Sequence, residues 1–233
     1  MVDRIAGAIR PRPCVFALHS LPGLRLTAHN IGTLREKSLH AAVKEWYAEP
    51  GDRVEEKVDG FVIDIVRPDL LIEIQTRAFL PLKRKLNRLT ETHRVRLVHP
   101  IAGEKWIVRV EADGHTRIGR RKSPKRGRPE QVFEHLVSIP EIVTKENFTL
   151  EVLLIREEEI RCYDGRGSWR HREWRHWDRR LLEVVEQRTL SSPSEFLQFL
   201  PPHLERPFTN RELSVASGCR LSLTGKMTYC LRK

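Results

Sequence analysis

Asp64 and Glu73 are the two carboxylates whose spacing could do chemistry. They lie in Phe61-Val-Ile-Asp-Ile-Val66 and Leu70-Leu-Ile-Glu-Ile-Gln75, two runs joined through Pro68-Asp69. Both runs have the period of two of a strand, and their β-branched residues favour a pleated surface. Proline presets φ for the first turn position and aspartate suits the second. If Arg67 faces Leu70 across that turn, facing positions sum to 137, so Asp64 stands opposite Glu73 and Val62 opposite Gln75. Directly opposed residues share a face, with Cβ atoms about 5 Å apart. Two carboxylates at that separation repel by on the order of 3 kcal/mol at an effective dielectric of about 20. A divalent cation held by oxygen ligands offsets this, and magnesium takes one or two carboxylates plus waters. The competing reading puts both acids on a solvated face of the hairpin, where no charge problem arises. Val62 and Val66, which flank Asp64, weigh against it.

Several elements must position this pair. Leu39, Ala42, Val43 and Trp46 recur at helical spacing within Thr33–Ala48, and Pro50-Gly51 ends that helix. Glu36 falls on its apolar stripe, yet Thr33-Leu-Arg-Glu36 is equally a capping box in which the glutamate reaches back to the N-cap amide. His40, one turn on, reads as a packing or surface residue. Pro81–Leu89 predicts a second helix with Lys83, Arg84, Lys85 and Arg88 largely outward. Val95–Val98 and Trp106–Val110 predict two strands. The resulting order is an α/β arrangement with a mixed sheet. Further on, Phe148–Ile155 predicts a strand, Glu157-Glu-Glu159 a hairpin tip, and Leu181–Val185 a last strand.

Charge narrows the partners. Lysine and arginine exceed the acids by 42 to 31, giving a net charge of +11, which favours polyanions and nucleic acid above all. Arg117–Arg128 holds seven basic residues and no acid, read as a solvated loop. Its Arg120, Arg121, Lys122, Lys125 and Arg126 would tether phosphates. Arg166–Arg180 interleaves Trp169, Trp174 and Trp177 with six arginines; the rings could stack bases, but packing under arginine stems is the commoner arrangement. No run is apolar enough to span a membrane, no secretory h-region is evident, and no small-molecule substrate suggests itself. Cys14, Cys162, Cys219 and Cys230 form no Cys-x-x-Cys pair, which fits a reducing cytoplasm.

From Ser191 the texture changes. Ser192-Pro-Ser-Glu195 and Thr209-Asn-Arg-Glu212 are capping boxes, and Gly218 separates the second helix from a third carrying Leu223, Met227, Cys230 and Leu231 inward. This predicts a helix-turn-helix with Lys226 and Arg232 facing DNA, although a plain three-helix packing competes and Gly225 weakens the third helix. A winged form would add a β-hairpin wing after Lys233. The expected organisation is a loosely ordered arm over 1–32, an α/β domain over 33–190 and a small α-helical domain over 191–233.

Glu36 on a helix, Asp64 on one strand and Glu73-Ile-Gln75 on the next, followed by a basic helix, together resemble the PD-(D/E)xK nuclease superfamily, over roughly residues 33–110. The resemblance implies a restriction-endonuclease-like mixed sheet with flanking helices. It also implies magnesium or manganese held by Asp64, Glu73 and the Ile74 carbonyl, with Glu36 contributing from its helix. Pro68-Asp69 spells the motif letters but belongs to the turn, so the matching acid is Asp64, with Asp59 as the fallback. Gln75 stands where the family usually has lysine; Lys83 or Arg77 would supply the missing charge. The implied activity is metal-dependent hydrolysis of DNA phosphodiesters. Such enzymes often need two active sites for two strands, which makes a homodimer the oligomer to test. A catalytically silent DNA-binding regulator and an RNA- or protein-binding subunit are the alternatives.

Overall fold

The computed structural model describes residues 37–163 and 174–233. The expected arm, Glu36, Cys14, Trp169 and the tip of the last hairpin lie outside the described residues. Seven strands form one mixed sheet: β1 (Arg53–Val58), β2 (Phe61–Arg67), β3 (Leu70–Ile74), β4 (Val95–Val110), β5 (Arg117–Lys122), β6 (Phe148–Tyr163) and β7 (Trp174–Leu190). Their order is β1-β2-β3-β4-β6-β7, and β5 pairs with β4. Among the described residues, five α-helices accompany them: α1 (Lys37–Tyr47), α2 (Lys83–Leu89), α3 (Phe133–Leu136), α4 (Asn210–Ser217) and α5 (Leu221–Leu231).

The β2–β3 turn forms as the sequence predicts, with Arg67 opposite Leu70 and Ile65 opposite Ile72. Before it, Asp59 and Gly60 both take positive φ, 49° and 81°, the conformation of the two-residue turn that suits twisted strands. This turn brings in β1, an edge strand too charged to show an apolar alternation. Asp59 is thereby spent on the turn, where it pairs with His93 at 3.3 Å.

The sheet is covered on both faces. Leu39, Val43 and Tyr47 of α1 pack on Ile65, Ile72, Ile74, Val98, Leu153 and Ile155. The opposite face buries Phe79, Leu86, Leu89, Phe133 and Leu136 against Leu97, Leu150 and Val152. Tyr47 also donates to Glu151 at 2.8 Å and accepts from Arg96 at 2.8 Å, so a buried polar network fixes the end of α1.

Four expectations give way. The strands expected at 95–98 and 106–110 are one strand with a bulge between Ala102 and Glu104. Pro100 is tolerated inside it because its missing donor falls on the edge that β3 has already left. The hairpin tip expected at 157–159 is the middle of β6. Its acids are neutralised along the sheet: Glu157 by Arg179, Glu158 by Arg120, and Glu159 by Lys105 and Arg161. Half of the basic stretch 117–128 is β5 rather than loop, with Arg120 and Lys122 lying over Trp106. Lastly, the C-terminal helices are not a separate body. Phe196, Phe199, Leu213, Leu223 and Met227 belong to the same apolar cluster as Phe133 and Leu136, so these helices share one core with the sheet.

Candidate active site

The β2–β3 ladder stops one step short of the acids. Continued regularly, the Ile74 amide would donate to the Ile63 carbonyl. Instead it donates to Asp64 Oδ2 at 2.8 Å, so the carboxylate sits in a gap where the two strands part. The side-chain alternation breaks there too: Ile63 packs toward α2 while Ile65 packs toward α1. On β1, opposite Asp64, Glu55 takes a φ of 56°, the local irregularity that accompanies this parting.

The predicted cross-strand pairing of Asp64 with Glu73 therefore does not form in the ladder, and the two acids take partners from different helices, Asp64 from α1 and Glu73 from α2. His40 Nε2 of α1 lies 3.2 Å from Asp64 Oδ2. Burial pushes the Asp64 carboxyl up, but the His40 and Ile74 hydrogen bonds and the nearby positive charge outweigh it and hold the group below its usual range. The bond to Asp64 raises His40 in turn. Glu73 is 9% exposed, and its burial, with the charge of Asp64, pushes it up to about 6. Paired carboxyls driven apart in this way are a feature of acid–base sites, though structural networks also produce them.

A lysine is present, but not where the sequence predicts it. Lys85 Nζ, from α2, lies 2.5 Å from Glu73 Oε2 and 2.6 Å from the Val62 carbonyl, bridging the gap from the side opposite His40. Lys83 is exposed and lines a small recess with Ile139 and Ile142 instead. Two residues turn a helix by about 200°, so only one of the two can face the sheet. Gln75 is engaged locally: its Oε1 accepts the Arg77 amide at 3.3 Å, and its carbonyl lies 2.5 Å from His99 Nδ1. Ile74 buries its side chain under α1, while its carbonyl lies on the same strand edge as the amide that meets Asp64.

The family described as "Domain of unknown function (DUF8091)" matches residues 37–191. This chain belongs to that family. An "Uncharacterized protein" of Treponema pallidum (strain Nichols) is 31% identical over 185 residues, covering 79% of this chain and 73% of the relative. No solved structure matches the chain significantly. The DUF8091 region runs from α1 to the end of β7, so it contains His40, Asp64, Glu73 and Lys85, while α4 and α5 follow it.

The basic residues divide among four places in this DUF8091 chain. Arg120 and Lys122 are held by Glu158 and Glu104, on the face of the sheet that carries Trp106. Arg121 is exposed on the other face, and Lys125 and Arg126 line a cavity of about 440 Å³. Arg232, just past the end of α5, is exposed, but Lys226 on α5 is half-buried, because that flank turns toward His135 of α3. The second capping box forms, with Thr209 accepting the Glu212 amide and Gly218 closing α4 at a φ of 66°. The first does not form as drawn: Glu195 takes the Ser191 amide at 2.6 Å and Ser192 caps nothing through its side chain. His40 and Lys85 were hidden in the sequence because neither belongs to a motif; only the parting of two strands brings them to the acids.

Proposed function

We infer that this chain is a metal-dependent phosphodiesterase acting on DNA, with Asp64, Glu73 and Lys85 at its centre. The observation that carries this reading is the pair of acids at the parting of β2 and β3, with a half-buried ammonium bridging one of them to the neighbouring strand. That pair lies in a helix-flanked mixed sheet, as the resemblance to PD-(D/E)xK nucleases implies. The donor set fits magnesium or manganese. Among the described residues no group of three or more His, Cys, Asp or Glu could cage a metal by side chains alone. Magnesium needs only one or two carboxylates plus waters. Asp64, Glu73 and the Ile74 carbonyl would hold it. When bound, it would activate a water and stabilise charge on the phosphate.

The chain's own groups do the rest. Lys85 supplies the cation that Gln75 cannot, and its Nζ donates to a phosphate oxygen presented beside Glu73. The Ile74 amide fixes the orientation of Asp64 through Oδ2. The α4–α5 pair presents Tyr229 and Arg232 outward, as the second helix of a DNA-reading helix-turn-helix would. Gly225 has its place in this pair: Asn210 of α4 approaches it, and Asn210 Oδ1 accepts from Thr228 at 2.7 Å. Cys219 and Cys230 are buried thiols, in keeping with a cytoplasmic location. Among the described residues no helix is long and apolar enough to cross a membrane.

The test is cleavage of plasmid, single-stranded and branched DNA with magnesium, manganese or chelator. Cutting that needs metal and disappears in Asp64→Asn and Glu73→Gln supports the reading. Unchanged cutting in both variants, or none by the wild type on any substrate, overturns it. DNA binding without cleavage would leave a DNA-binding regulator.

A further inference from the structure

β3 and β5 lie end to end along the same edge of β4, and they do not meet. β3 stops at Ile74 beside Val98, and β5 begins its pairing with β4 at Lys122 opposite Trp106. The 440 Å³ cavity is lined by the stretch of β4 between these two ends, including His99, Ile101 and Lys105. Thr76, three residues after Glu73 and so at most about 11 Å from it along the chain, is part of its wall.

Its mouth is cationic and rigidly built. Gly127 donates to the Ala102 carbonyl at 2.9 Å, and a Cβ at that position would come within 2.4 Å of the same oxygen. Only glycine lets the loop lie this close to β4, and so Lys125 and Arg126 are carried to the rim. Opposite them, Arg179 is fixed by two hydrogen bonds to Glu157 Oε2, at 2.6 and 2.9 Å. Lys105 is fixed by Glu159 at 2.8 Å.

The interior has a different character. His99 donates from Nδ1 to the Gln75 carbonyl, which leaves Nε2 as an acceptor, and complete burial drives its pKa down to about 3. His135 stands 5.1 Å from it ring to ring, with Phe79 behind. Glu157 is wholly buried, and its Oε1 has no hydrogen-bond partner; Lys105 Nζ, at 3.6 Å, is too far to donate. A buried acceptor of this kind calls for a donor. The cavity therefore offers cations at its rim, and neutral aromatic rings and unmet acceptors within. Its volume is that of a small-molecule site, far too small for a duplex.

We propose that this cavity receives one unpaired nucleotide of a DNA strand, with its phosphate among Lys125, Arg126 and Arg179 and its base inward against His99 and His135. The base's N–H groups meet the acceptors inside, and the neighbouring phosphodiester lies toward Glu73. The class of substrate is thus DNA with an unpaired segment: an overhang, a flap or a single strand. The placement beside Glu73 rests on the phosphodiesterase reading, but the binding itself needs no catalysis.

The experiment is fluorescence anisotropy in chelator, using a labelled single-stranded oligonucleotide, a blunt duplex and a duplex with a 3′ overhang, with 5′-deoxynucleoside monophosphates as competitors. The unpaired substrates should bind at least about tenfold tighter than the blunt duplex, and the monophosphates should compete where inorganic phosphate at the same concentration does not. Lys125→Glu, a change at an exposed position, should weaken single-strand binding about tenfold and lower the salt slope by about one or more. His135→Ala should abolish competition by the monophosphates while keeping the wild-type circular dichroism. Asp64→Asn should keep the preference for unpaired DNA whether or not it stops cleavage, which separates failure of the catalytic reading from failure of this one. Equal affinity for blunt and unpaired DNA, or wild-type binding by both cavity variants, overturns the proposal.

Discussion

Replacing Glu73 by glutamine should make the protein more stable at the pH where it would work. Its carboxyl sits at about 6 rather than the ordinary 4.5, chiefly through burial, with the charge of Asp64 adding to it. Ionising it in the folded chain therefore costs about 2 kcal/mol more than in the unfolded chain, at 1.36 kcal/mol per pH unit. The side chain is only 11% exposed, so solvent screening takes little from that figure. The sign follows from the raised value. The unpenalised, protonated state is fully present below pH 4.5, and its contribution is lost as pH rises through 6. In chelator, Glu73→Gln should match the wild type near pH 4 and exceed it by about 2 kcal/mol at pH 8, roughly 4–8 °C in Tm. Magnesium should then reverse the order. A cation at 100 times its Kd stabilises the protein that binds it by about 2.7 kcal/mol, and the glutamine variant should gain far less. Urea unfolding at pH 4, 6 and 8, with and without magnesium, reads both effects. A variant no more stable than the wild type at pH 8 refutes the burial argument, and an equal magnesium shift in both proteins refutes the metal assignment.

Lys85→Ala leaves Glu73 buried without its cation and should cost about 3 kcal/mol at pH 8, less at pH 5 where the acid protonates; unfolding at the two pH values checks this. The same variant should lower cleavage at least about a hundredfold, with Lys85→Arg recovering part of it. Tyr47→Phe removes the hydroxyl shared by Glu151 and Arg96 and should cost about 1–3 kcal/mol in chemical denaturation without moving metal dependence. Arg232→Glu, at the exposed position that ends α5, should weaken duplex binding and flatten its salt dependence while leaving Tm within about 1 °C.

What was legible in the sequence was local. The Pro68-Asp69 turn fixed the β2–β3 register, helical spacing of Leu39 and Val43 located α1, and Thr209-Asn-Arg-Glu212 marked the start of α4. What was not legible depended on partners far along the chain. The middle of β6 is the charged run Arg156-Glu-Glu-Glu159, so Glu157–Glu159 look like an exposed tip until Arg179, Arg120 and Lys105 arrive from other strands. Lys83 and Lys85 differ by helical phase, which is settled only once Leu86 and Leu89 are seated under the sheet. The parting of β2 from β3 has no sequence signature, because it consists of one carboxylate taking an amide that a carbonyl would have held.

The shared core of the C-terminal helices and the sheet has a mechanical consequence. Met227 and Leu223 of α5 are buried with Phe133 and Leu136, which also cover the face that holds Glu73 and Lys85. A helix anchored in this way cannot swing on a tether. A duplex gripped by α5 would be presented to the acids at one fixed offset, and the fragment ends of any reaction would cluster at a single distance from the bound site, as if measured against a ruler.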